Sequence, residues 1–163
     1  MKLPLSGRKE DYHKLLRKAA HQAQAGRELA VYDQETGLFA PWFFGLRCPE
    51  ECYRAVRYRR PLTLLLIEVR TEGDNFDSAV DQVVRSLKAG RRSDVPSHLG
   101  AGRFAVLLPE TDAAAAEALT VRLEALAPGI LTGISSHPYD GGNQKQLIVS
   151  AEQRLNSGNR LAA

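Results

Sequence analysis

The stretch "HLGAGRFAVLLPET", residues 98–111, decides how this chain is read. Gly100, Ala101 and Gly102 separate two apolar runs, so the segment reads as a strand, a tight turn and a second strand that stops at Pro109. Arg103 stands where the chain re-enters the sheet, and Phe104 opens the buried strand. The turn holds neither a nucleophile nor a carboxylate, so its meaning has to come from the segments around it.

Downstream, "TDAAAAEALTVRLEALAPG" begins on a Thr/Asp cap and stops at Pro128-Gly129, which predicts a helix whose alanines pack closely on a sheet. "ILTGISS" reads as a strand and "HPYDGGN" as a loop. "QKQLIVSAEQRLNSG" reads as a last helix, with Leu147, Ile148, Ala151 and Leu155 inward and Gly158 past its end. Upstream, "NFDSAVDQVVRSLKAG" sets Phe76, Ala79, Val80, Val83, Val84 and Leu87 at helical spacing, as a crossover helix requires. Before it, "PLTLLLIEV" is an unbroken apolar run of strand length, expected of a central strand buried on both faces.

Nearer the start, Asp33, Thr36 and Gly37 are turn or cap residues, and "LFAPWFF" is the densest aromatic cluster. That cluster suits core, or a packing seat for the amino-terminal helix. A basic helix follows and ends at Pro61, with Pro49 expected to break the region into two helical pieces. Residues 8 to about 30 place Tyr12, Leu15, Leu16, Ala19, Ala23 and Ala30 near one face of an amphipathic helix, and Gly26 argues against a long uninterrupted rod. The expected architecture is α/β (α+β): a mixed central sheet of about five strands flanked by helices, with an extra N-terminal helix. Residues 1–30 form the amphipathic appendage and residues 31–163 the domain.

Composition narrows the function. The 163 residues, 44% hydrophobic, suffice for one core, and a net charge of only +3 gives no chain-wide basic character that demands nucleic acid. No apolar run suits a signal peptide or approaches the roughly 20 residues of a membrane span, so a cytoplasmic protein is expected. Cys48 and Cys52 in "CPEEC" have no second pair, which leaves neither a disulfide framework nor a four-ligand zinc site. His13, His21, His98 and His137 show no metal-ligand spacing, and Ser135-Ser136-His137 lacks the acid of a triad. Arg54, Arg57, Arg59 and Arg60, interleaved with Tyr53 and Tyr58, form a basic run, but a helix-end surface accounts for them better than nucleic acid.

From residue 31 to 160 the chain resembles a GGDEF domain, the diguanylate cyclase family. "DQETGL" at 33–38 is similar to the family's D-x-L-T-G-L, and "RYRRPLTLLLIEV" resembles its basic helix end and first strand. "GAGRFAVLLPET" aligns with the signature and the strand after it, "LTGIS" with S-I-G-V-A, and "AEQRL" with the last helix. The resemblance implies a cyclase-like fold and a place in bacterial signal transduction.

Carried over residue by residue, the family's catalytic positions mostly fail. Its cyclases hold divalent metal between two GTP molecules, and magnesium needs oxygen donors. The first metal position falls on Glu68, but the next falls on Arg70, and the two acidic signature positions become Gly102 and Arg103. The F-K and N-D positions have no clear counterparts in "RTEGDNFDS", and the last helix lacks the expected Lys. The degenerate signature Gly100, Ala101, Gly102, Arg103 and Phe104 therefore implies a protein that is not an enzyme and needs no cofactor or metal.

Upstream of the signature stands Arg91-x-x-Asp94, with five residues between Asp94 and Gly100, which resembles the spacing of the family's inhibitory product site. Arginine presents a donor fork to guanine O6 and N7, and aspartate accepts from N1–H and N2–H. Arg122 falls where the family carries an arginine that reaches a dinucleotide held by a neighbouring domain. The resemblance thus implies a cyclic di-GMP receptor at Arg91, Asp94 and Arg122, acting across a dimer. The alternative is a ligand-free interaction module whose N-terminal helix and degenerate hairpin dock a partner protein; the N-terminal helix is also the candidate surface for a homodimer. On that reading, Arg91 serves a helix dipole and Arg122 a solvated face.

Overall fold

The computed structural model describes residues 11–24 and 30–158. In chain order these form α1 (Asp11–Gln24), α2 (Pro41–Tyr58), β1 (Leu62–Val69), α3 (Asn75–Lys88), β2 (Val95–Gly100), β3 (Arg103–Pro109), α4 (Ala113–Glu124), β4 (Ile130–His137) and α5 (Gln144–Ser157). The order matches the one expected from periodicity and turn residues. Gly26 and the ends of the expected N-terminal helix lie outside the described residues, as do the side chains of Ala19 and Ala23.

The sheet runs β2-β3-β1-β4, and every neighbouring pair is antiparallel. This corrects the expected mixed sheet of about five strands. Residues 31–40 make isolated bridges only, Tyr32 to Phe39 and Phe39 to Ser97. The reason is local. Asp33 closes a tight turn with Leu38 and Gly37 through 2.7 Å backbone bonds, and α2 starts at Pro41, so no length is left for a fifth ladder. The crossover through α3 sets β2 in the same direction as β1, but β3 lies between them.

β1 is central and buried along its whole length. Leu62, Leu64 and Leu66 face a core with α1, α2 and α5, whereas Leu65, Ile67 and Val69 face a core with α3 and α4. The period-two alternation of a strand thereby feeds two helical layers from one apolar run. Gly133 in β4 lets α5 approach the sheet: a Cβ there would collide with the Ala151 carbonyl and the Leu155 backbone. Asp112 and Asn143 cap α4 and α5, accepting from Ala115 N at 2.8 Å and Gln146 N at 2.9 Å.

α2 is one continuous helix, not two pieces. Pro49 lies inside it as an exposed residue, and its missing N–H forgoes the one helical bond to the Gly45 carbonyl. Cys48 and Cys52, both buried and free, anchor the turns on either side of the proline. α1 contributes Tyr12 and Leu16 to the same core, while Leu15 is half-buried and Ala30 lies exposed beyond the helix. Among the described residues no helix is long and apolar enough to cross a membrane.

Candidate functional site

α3 ends at Lys88, and six residues carry the chain to β2. Within them Asp94 folds back on Arg91: the backbone N–H of Arg91 donates to Asp94 Oδ2 at 3.1 Å, and Arg91 Nη2 donates to Asp94 Oδ1 at 3.0 Å. The same Nη2 also donates to the Pro109 carbonyl at 3.2 Å and to Thr111 Oγ1. One nitrogen of the guanidinium thus ties this turn to the far end of β3. The Arg91 side chain is still 55% exposed, against 11% for Asp94. The pair is a preset donor and acceptor, held by a short turn that the Asp94 carboxylate closes back on the Arg91 N–H.

Arg91 borders an open groove of about 800 Å³ whose other wall is α2. Arg47, Arg54, Arg57 and Arg60 line it together with Tyr53 and Tyr58. Glu51, buried in α2, accepts from Arg47 at 2.7 Å and from Arg54 at 3.4 Å, and Arg60 pairs with Glu110. Sequence reading assigned this basic run to a helix end and missed its position beside Arg91. A signal was present: residues 47, 51, 54 and 58 recur at i, i+4, i+7 and i+11, one face of a helix. Arg122 is exposed in the last turn of α4, on the opposite helical layer, and does not line this groove.

At the other end of β2 and β3, Ala101 (φ +51°) and Gly102 (φ +70°) make a two-residue turn with both residues left-handed, after Gly100 at φ +90°. Gly102 lies under the Phe76 ring of α3: a Cβ there would lie 2.9 Å from Phe76 Cε2 and Cζ and 3.2 Å from Val69 Cβ. The space that a side chain at position 102 would take is thus filled by an aromatic edge. Arg103 pairs across the ladder with Glu68, and Phe104 is fully buried opposite Ile67. Arg70 donates to Glu68 Oε2 from Nε at 3.1 Å and from Nη2 at 2.8 Å.

A divalent ion at this tip does not fit the donor set. Magnesium needs several oxygen ligands, whereas no side chain at 102 or 103 presents one, the Gly102 carbonyl accepts from Val69 N, and the Glu68 carboxylate already accepts from the Arg70 guanidinium. Tyr12 of α1 closes the same end of β1, its hydroxyl donating to the Ile67 carbonyl at 3.4 Å. Burial, and then the nearby Glu68 carboxylate, push the Tyr12 phenol well above its ordinary range, so it stays a neutral donor.

No protein-family model and no curated sequence matches the chain. Solved structures do. The GGDEF domain of PA1120 from Pseudomonas aeruginosa superposes with a TM-score of 0.68 at 23% identity, over 80% of this chain and 90% of that one. The GGDEF domain of DgcB from Caulobacter crescentus, solved in complex with c-di-GMP, gives 0.63 at 15% identity over 80% and 88%. Diguanylate cyclase SiaD of Pseudomonas aeruginosa, solved with its activator SiaC, gives 0.67 at 22% identity over 91% and 71%. These superpositions, each over about four-fifths of this chain or more, show that it has the fold of GGDEF domains.

Proposed function

We propose that residues 31–163 bind cyclic di-GMP without making it, through Arg91 and Asp94, with Arg122 reaching a dinucleotide held by a second copy. The observation that carries this reading is the Arg91–Asp94 pair at the rim of a groove lined by four further arginines and two tyrosines. A cyclic dinucleotide offers matching chemistry: guanine edges for the arginine fork and the aspartate, phosphates for the α2 guanidinium groups, and flat bases for Tyr53 and Tyr58. One dinucleotide shared by two domains would convert ligand concentration into association. Among similar structures, DgcB was solved with this ligand. The non-enzymatic half of the reading rests on Gly102 under Phe76, on Arg103 and on the Glu68–Arg70 pair, which together replace the acids such chemistry needs.

Calorimetry with cyclic di-GMP tests the binding half: heat at tens of micromolar with wild type, and loss of it with Arg91→Ala, is the expected result. No heat with wild type overturns it. Incubation with GTP and magnesium or manganese tests the other half, and any cyclic dinucleotide product overturns it.

A second reading, a module that docks a partner protein, is favoured by α2 itself. Leu46, Tyr53 and Val56 are exposed there, and Leu46 and Tyr53 line an apolar groove of about 960 Å³ between α1, α2 and the start of α5. SiaD is an example of a similar structure bound to a protein activator. Ligand-free calorimetry together with loss of a complex on Tyr53→Glu would favour this second reading.

A further inference from the structure

Asp33 and Glu35, from the turn ahead of α2, meet His98 of the edge strand β2, and donor atoms of all three lie within 4.8 Å of one another. His98 Nδ1 is 3.1 Å from Asp33 Oδ2. The imidazole is almost wholly buried, its side chain 5% exposed, while Asp33 is half-buried and Glu35 exposed. The three therefore form a cup with a nitrogen at its floor and a carboxylate at its rim.

The cup is held before anything enters it. Thr36 donates to Asp33 Oδ2 from its backbone N–H at 3.0 Å and from Oγ1 at 2.7 Å, so the carboxylate is oriented by its own turn. β2 is fastened to the same segment, because the Phe39 carbonyl accepts from His98 N at 3.3 Å and from Ser97 Oγ at 2.9 Å. The buried Phe104 ring packs against the imidazole, their centroids 5.1 Å apart. Outer-shell bonds of this kind fix ligand orientation in metal sites.

We propose that Asp33, Glu35 and His98 bind a borderline divalent transition ion of the zinc or cobalt type, which staples the turn ahead of α2 to the hairpin. The donor set, one imidazole nitrogen and two carboxylate oxygens with water completing the shell, selects such ions over magnesium and calcium. Ligands about 2.0–2.1 Å from a tetrahedral ion stand about 3.3 Å apart. The His98–Asp33 pair is already at 3.1 Å. Glu35, exposed on the turn, closes in by roughly 1.5 Å at most. Coordination through Nδ1 places the imidazole proton on Nε2. The site is separate from the Glu68–Gly102 end of the hairpin and from the Arg91 groove, and its outcome is independent of cyclic di-GMP binding.

Thermal unfolding of the whole chain with about 100 µM zinc chloride tests the proposal, with cobalt absorbance as the spectroscopic check. A rise in Tm of about 5 °C is expected, the size set by ligand in large excess over Kd, with no rise for magnesium at the same concentration. Glu35→Gln, an exposed change that leaves the fold intact, should weaken zinc binding at least about tenfold, and His98→Gln should abolish it. The Cys48→Ser/Cys52→Ser double variant should keep it. No rise with wild type, a rise that survives both Glu35→Gln and His98→Gln, or a rise lost with the cysteines overturns the site.

Discussion

Gly102 of the hairpin turn and Phe76 of α3 occupy one space: a side chain at 102 would start 2.9 Å from the phenyl edge. The backbone at 102 is also left-handed, at φ +70°. Gly102→Asp, or the pair Gly102→Asp/Arg103→Glu, should therefore fail to create cyclase activity and should destabilise the fold. Overpacking typically costs about 1–3 kcal/mol. Chemical denaturation measures this, and a Phe76→Ala background should return part of the loss, since Phe76 is half-buried and forms the obstruction.

The structural role of Arg91 can be separated from the ligand contact proposed for it. Its ties to Pro109 and Thr111 are structural, so Arg91→Ala should lower stability by about 1–2 kcal/mol, as for lost charge-assisted hydrogen bonds. Arg91→Lys keeps the charge but lacks the planar fork. Binding of cyclic di-GMP should fall with either variant by about 1–3 kcal/mol, the range for a bidentate base contact. Calorimetry on samples shown to be folded reads the difference.

Acid should unfold the protein in part through Asp140. The Arg154 hydrogen bonds at 2.8 and 2.6 Å, helped by the Ser136 N–H, hold its carboxyl below the ordinary range despite burial. A depressed pKa in the folded state contributes stability that is present above about pH 4, the value for a free aspartate. That contribution is lost as pH falls through the lower folded value. Asp140→Asn should flatten the stability–pH profile below pH 4 to 5 in equilibrium denaturation. At neutral pH, Arg154→Ala should cost about 3 kcal/mol, because it leaves a carboxylate that is only 15% exposed without its partner.

Cys48 and Cys52 should differ in reactivity. The hydrogen bond between the thiols, with burial, pushes Cys48 up, and the same bond lowers Cys52, which borders the groove between α1, α2 and α5. Thiolate is the reacting form. Alkylation followed by mass spectrometry should find Cys52 modified first in the folded protein, and both thiols at similar rates in denaturant.

Much of the fold was legible because local rules and global packing agree in it. The apolar run of β1 reported a strand covered on both faces, and the caps at Asp112 and Asn143 and the stop at Gly158 marked the ends of α4 and α5. Pro49 misled because a proline on the exposed face of a helix costs one backbone bond, and packing of Cys48 and Cys52 outweighs it. The expected fifth strand failed because the Asp33 turn uses the residues it would have needed.

The candidate sites divide differently. Sequence by itself determined what is chemically absent or present at given positions: no acid at 102 or 103, an arginine and an aspartate at 91 and 94, a helix rich in arginine ahead of β1. Only the tertiary structure decided which of these meet. It set the α2 arginines beside Arg91, put Phe76 over Gly102, and brought His98 to Asp33 across 65 residues. The physical reason is range. Periodicity and capping act within a few residues of chain, whereas a binding surface depends on contacts created by packing helices onto a sheet, whose partners no local pattern names.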